Sequence, residues 1–142
     1  MIVVECLDGV PNVPGINPEF FITAIPRLVE GEGKGCGEIT VIFCGDEYLL
    51  SMNIEFLNHN YYTDVIAFDY SENQIVSGDI FVSIDRVIDN AKTLIQPLEQ
   101  EICRVVFHGV LHLLGYDDKS DDTKAVMTNK ENEYINKCLL KK

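Results

Sequence analysis

The chain has 142 residues, 46% of them hydrophobic and 24% charged, with a formal net charge of −12. That size and balance suit a single domain over residues 1–142 that buries its own core. They exclude a membrane span, since no run nears the roughly 20 apolar residues required, and they argue against non-specific nucleic-acid binding, DNA included, which runs on phosphate neutralisation by cations.

The N-terminal IVVEC (2–6) reads as a short strand, and residues 8–17 are rich in turn formers. Asn17 and Pro18 form a helix start, an N-cap followed by proline at the first helical position. Residues 18–30 then carry helical apolar spacing, with Pro26 expected to kink that helix or move its start. EITVIFC (38–44) reads as a strand. Residues 46–58 read as a helix capped by Asp46, with Leu49, Met52, Phe56 and Leu57 as its buried stripe. Residues 64–70 and 78–83 read as strands joined by the polar loop SENQIVS, and 84–95 as a helix. The most apolar helix spans about 98–114, and Gly115 stands where a left-handed turn ends such a helix. Ser120 opens a last helix over about 121–139. The sum is an α+β (α/β-like) fold: a small mixed sheet of about four strands packed with about five helices.

The five cysteines, Cys6, Cys36, Cys44, Cys103 and Cys138, are odd in number and include no C-x-x-C pair. They are expected to be reduced and mostly buried. The start of the chain lacks a basic n-region and a long apolar run, so no signal peptide is expected and the predicted location is cytoplasmic. Lys and Arg are absent between Lys34 and Arg86, whereas Lys119, Lys124, Lys130, Lys137, Lys141 and Lys142 crowd the C-terminal end.

The chemistry sits in HGVLHLLGYDD, residues 108–118. His108 and His112, four apart on a helix, share one face with Cβ atoms about 6 Å apart, so two imidazoles can reach one metal ion. Gly115 turns the chain back, and Asp118 offers a third ligand. Three protein ligands leave a position for water, the mark of a catalytic zinc site, where water ionises near neutrality. The bland reading is a pair of core histidines, but an uncompensated imidazole in so apolar a helix is costly. A metalloprotease would carry its general base just after the first histidine, where this chain has Gly109. That leaves a metalloprotease-like zinc hydrolase as a minor alternative. Two histidines and a carboxylate also match non-haem iron sites, though both histidines lying on one helix suits that class poorly.

The same segment resembles the pattern H-G-x-L-H-L-x-G-Y-D-H of the YbeY-type rRNA maturation endoribonucleases, matching ten of eleven positions with Asp118 in place of the last His. Upstream, LNHNYYTDVIAFDY (57–70) and GDIFVS (78–83) resemble two further blocks of that family in the same order. The resemblance implies a single-strand-specific endoribonuclease in 16S rRNA 3′-end maturation and ribosome quality control. It also implies one zinc ion per chain on His108, His112 and Asp118, with single-stranded rRNA and the small ribosomal subunit as partners. Asp117 matches an Asp of the family and is the candidate general base. The family places an Arg before T-D-V, in a slightly longer loop. Here the shorter loop holds no Lys or Arg, and His59 reads either as the nearest substitute for gripping phosphate or as an exposed loop residue. Thr63 and Asp64 read as a strand start or as lining of the cleft, and Tyr61 and Tyr62 as surface residues or base-stacking platforms. Met127 reads as core or as packing beneath the metal. The alternative to the enzyme is a non-catalytic, metal-stabilised ribosome-assembly or RNA-binding factor.

Overall fold

The computed structural model describes residues 1–7, 9–10 and 17–140; most of the turn-rich 8–17 segment and the last two lysines lie outside these. The elements in order are β1 (Ile2–Cys6), α1 (Pro18–Gly31), β2 (Gly35–Cys44), α2 (Asp46–Leu57), β3 (Val65–Asp69), β4 (Ile75–Ser83), α3 (Ile84–Thr93), α4 (Leu98–Leu113) and α5 (Asp121–Ile135), then a wider π-type turn over Asn136–Leu140. This is the expected mixed four-stranded sheet with five helices. The sheet order is β1-β2-β4-β3, with β1, β2 and β4 parallel and β3 antiparallel to β4. No described helix is long and apolar enough to cross a membrane.

The main core joins Phe21, Ile25 and Leu28 of α1, Ile102, Val106, Phe107 and Leu111 of α4, and Ile39, Val41, Phe43, Ile80 and Val82 of the sheet. A smaller cluster of Leu49, Met52 and Ile66 lies between α2 and the sheet. α4 comes close to the sheet because Gly109 has no side chain: a Cβ there would sit 2.6 Å from Ile80 Cγ2 and 3.3 Å from Val65 Cγ2. The residue that distinguishes the motif from a protease is therefore a packing necessity, since a glutamate at that position would collide with the sheet.

Several boundaries differ from the sequence reading. α1 begins at Pro18 as its cap dictates, with Asn17 Oδ1 accepting from the Glu19 and Phe20 amides, and it runs through Pro26 rather than starting later. Asp46 is not the cap of α2. Gly45 holds that position, and the Asp46 carboxylate instead accepts from Ser83 Oγ at 2.7 Å and pairs with Arg86. Phe56 and Leu57 are exposed, and Asn53 takes the buried place beside Leu49 and Met52. The polar loop is a tight turn, with Asn73 and Gln74 at φ 51° and 68°, as a two-residue hairpin prefers. β4 consequently starts at Ile75. α3 ends at Thr93, and α5 ends at Ile135 because the chain widens there. Only Cys44 and Cys103 of the free thiols are buried; Cys36 and Cys138 are half-buried and Cys6 is exposed.

Candidate metal centre

His108 and His112 lie on the last two turns of α4, and Gly115, at φ +99°, reverses the chain just beyond it. The reversal carries Asp118 back over the histidines. His108 Nε2 and His112 Nε2 are 3.0 Å apart, and Asp118 Oδ2 is 3.3 Å from the first and 4.0 Å from the second. These three ligand atoms, one from each residue, cluster within 4.8 Å of one another.

The far side of each ring fixes its tautomer. His108 Nδ1 is 2.6 Å from Glu131 Oε2, and His112 Nδ1 is 3.0 Å from the Tyr116 carbonyl oxygen. A carboxylate and a carbonyl both accept, so each Nδ1 donates. Both neutral rings then present Nε2 lone pairs to each other at 3.0 Å, which is repulsive unless a cation or a proton lies between them. With the Asp118 oxygen alongside, this donor set fits a divalent transition metal such as zinc.

The support reaches further along the helices. Glu131, on α5 and only 7% exposed in its side chain, also accepts from Arg104 Nη1 at 3.1 Å. Arg104 Nε lies 3.7 Å from Glu101, whose Oε1 is buried without a hydrogen-bond partner. Burial pushes the Glu101 carboxyl above the usual range. Burial also lowers His108, but the Glu131 hydrogen bond and the charges of Glu131, Asp118 and Asp64 outweigh it, and the net shift is upward. Burial, then the neighbouring His108, hold His112 below the ordinary range. The loop bearing Tyr116 and Asp118 is tied down by Glu32, whose carboxylate accepts from the Tyr116 hydroxyl, the Tyr134 hydroxyl and Lys130.

Two openings flank the ligand cluster. A cavity of about 280 Å³ is lined by Asp64, Glu101, Arg104, His108, Asp118 and Met127, among others. A larger groove of about 690 Å³ is lined by His59, Thr63, Asp64, Val65, Ala67, His108, His112, Asp118 and Lys119. His59, Thr63 and Asp64 thus line the same groove as the histidines. His59 stacks on Tyr61 with ring centroids 5.1 Å apart. Tyr62 stands outside, bonded to Glu47 with Arg86 over its ring. Asp64 accepts from Asn90 at 3.1 Å. Asp117 does not join the ligand cluster: its carboxylate accepts the Lys119 amide at 3.1 Å, and that bond holds it below the usual carboxylate range. Met127 is 1% exposed, belongs to the main core and lines the same cavity as His108.

Sequence reasoning missed Glu131, Arg104, Glu32 and Asn53. Glu131 was discoverable, because it follows Met127 by four on the buried face of α5, where an acid needs a partner. Asn53, 2% exposed, donates to the Tyr61 carbonyl at 2.9 Å and steadies the groove loop. Nothing in its local sequence separates it from a surface asparagine.

A family model described as Endoribonuclease YbeY matches residues 21–139. Proteins named Endoribonuclease YbeY are similar over most of their length. One from Porphyromonas gingivalis is 50% identical over 128 residues, covering 90% of this chain and 84% of the relative. One from Flavobacterium johnsoniae is 48% identical over 119 residues, covering 84% and 86%. One from Phocaeicola vulgatus is 46% identical over 128 residues, covering 90% and 92%. Among solved structures, the solution structure of a Thermotoga maritima protein superposes with a TM-score of 0.65 at 25% identity, covering 97% of this chain and 89% of that one.

Proposed function

The chain belongs to the Endoribonuclease YbeY family, and from that premise we propose that it is a metal-dependent endoribonuclease that hydrolyses phosphodiester bonds of single-stranded RNA. The observation that carries the reading is the meeting of His108 Nε2, His112 Nε2 and Asp118 Oδ2 on the wall of an open groove. One zinc ion per chain, held by those three residues, would supply Lewis acidity and a water ionised near neutral pH. Glu131 and the Tyr116 carbonyl hold the two rings with Nε2 facing the ligand position. Asp118, a carboxylate where the family pattern has a third histidine, lowers the charge of the donor set by one. Thr63, Asp64 and His59 line the groove where the strand would lie, with His59 as the candidate donor to a phosphate. Asp117, whose Oδ1 accepts the Lys119 amide, is the candidate general base through its other oxygen.

The proposal extends to setting: a single cytoplasmic domain acting on 16S rRNA 3′ ends and on the small ribosomal subunit, as the motif resemblance implies. The net charge of −12 and the lack of Lys or Arg between Lys34 and Arg86 favour a second reading, a metal-stabilised assembly factor without catalysis. One paired assay decides between them. Metal content is measured on purified wild type and His112→Ala, and both are given a single-stranded rRNA 3′-end substrate. About one zinc per wild-type chain, with cleavage lost in the variant, supports the enzyme. Bound metal with equal cleavage, or none, in both proteins supports the assembly factor.

A further inference from the structure

One wall of the groove beside the histidines is a free sheet edge, because β3 closes the sheet order β1-β2-β4-β3. The Ser83 amide donates to the Asp64 carbonyl at 2.9 Å, and the Tyr70 amide donates to the Ser77 carbonyl at 2.9 Å. Between those bonds the β3–β4 register is unbroken, from Val65 opposite Val82 to Asp69 opposite Gly78. Hydrogen-bonded and non-hydrogen-bonded pairs alternate along an antiparallel ladder. The ladder bonds therefore belong to Ile66 with Phe81 and to Phe68 with Asp79. Val65 and Ala67 turn their N–H and C=O groups away from β4, and both residues line the groove. The Thr63 hydroxyl donates to the Val65 carbonyl at 3.4 Å. The Val65 and Ala67 N–H groups and the Ala67 carbonyl have no protein partner among the described residues.

The same groove is poor in cations. Among the described residues, Lys119 is the one Lys or Arg lining it, in company with Asp64 and Asp118. Beyond His59 and Lys119, a phosphodiester chain lying there must find its donors elsewhere, and fixed backbone N–H groups supply them without ordering any side chain. An anionic backbone alone would leave the Ala67 carbonyl facing oxygen acceptors. Ribose removes that mismatch, because its 2′-hydroxyl is a donor that deoxyribose lacks.

We propose that the free edge of β3 binds the sugar–phosphate backbone of single-stranded RNA, with the Val65 and Ala67 N–H groups donating to phosphate oxygens and the Ala67 carbonyl accepting from a ribose 2′-hydroxyl, so that the edge strand selects RNA over DNA. The inference rests on the ribonuclease reading for its substrate class, and on the β3 register for its geometry. It accounts for a nucleic-acid cleft in a chain of net charge −12. Affinity built on backbone donors also carries a shallow salt dependence. The slope of log K on log salt is about −0.7 per neutralised phosphate, so Lys119 with one further cation gives about −1.4, against about −2.8 for a four-cation clamp.

The test uses metal-loaded, ¹⁵N-labelled full-length protein and three oligonucleotides of one sequence: RNA, DNA and 2′-O-methyl RNA. Binding is read by fluorescence anisotropy at several salt concentrations, and amide shifts are read by NMR. RNA is expected to bind about 10-fold tighter than either of the others, with the largest shifts at Val65 and Ala67. Equal affinity for all three, or RNA-induced shifts that spare β3, overturns the inference. So does a lysine-rich peptide that shifts those two amides when RNA does not, since the edge would then be a strand-addition site for protein. Ala67→Pro is the protein-side check. Proline is tolerated where an edge-strand N–H points outward, so the fold is retained and RNA binding falls about 5- to 10-fold. Unchanged RNA binding in a folded Ala67→Pro variant also overturns it. Cleavage is followed in the same samples: RNA preference at β3 without cleavage refutes the enzyme and leaves this inference standing.

Discussion

Replacing Glu131 separates the support of the candidate metal centre from its candidate ligands. Its carboxylate accepts from His108 Nδ1 at 2.6 Å and from Arg104 Nη1 at 3.1 Å, and its side chain is 7% exposed. Partners of this kind behind a ligating histidine typically change metal affinity about 10- to 100-fold. Glu131→Gln keeps an acceptor for Nδ1–H and loses only the charge, so zinc affinity should fall about 10-fold. Glu131→Ala also frees the ring to turn, and the fall should approach 100-fold. Stability of the metal-free protein should drop as well. Breaking a buried ion pair costs about 3–5 kcal/mol, and Arg104, 23% exposed and 3.7 Å from Glu101, has a second partner, so about 3 kcal/mol is expected for the alanine variant. Competition with a chromophoric chelator gives the affinity, and urea unfolding in excess EDTA gives the stability. A folded Glu131→Ala protein that binds zinc within twofold of wild type would refute the argument that this carboxylate orients His108.

Three further outcomes follow from the same geometry. Glu32 sits below its ordinary carboxylate range: burial pushes it up, but hydrogen bonds from Tyr116, Tyr134 and Lys130 outweigh that. A carboxyl lowered on folding stabilises fully above its unfolded value, near pH 4.3, and the gain disappears as pH falls through the folded value. The stability advantage of wild type over Glu32→Gln should therefore be flat above about pH 5 and shrink below about pH 4.3, and a constant difference down to acid unfolding would contradict the network. Gly109→Ala should lower stability by about 1 kcal/mol, because overpacking against Ile80 at 2.6 Å costs about 1–3 kcal/mol and the helix regains about 1 kcal/mol from alanine; a raised melting temperature would show that α4 has room to move. Zinc at 100 times its dissociation constant should stabilise the stripped protein by about 2.7 kcal/mol, and a melting temperature indifferent to zinc would count against the ligand set.

Most elements and the three candidate ligands are legible in the sequence, because both are encoded locally. Apolar period and caps place α1, with Asn17 and Pro18, and α4, with Gly115 behind it. The spacing of His108 and His112 on one helix face, with a glycine turn before Asp118, is likewise a property of adjacent residues. The α2 stripe failed where tertiary contacts overrode local pattern: Asp46 left its cap for Ser83 and Arg86, and Phe56 yielded its buried place to Asn53. What surrounds the histidines follows from the packing of distant segments. Glu131 stands 23 residues from His108 and Glu32 stands 84 from Tyr116, and no local rule specifies contacts across such separations. Strand order was equally invisible, since the β2–β4 pairing skips β3. That order leaves β3 at the edge, and the parity of its ladder turns the backbone groups of Val65 and Ala67, which line the groove, away from β4.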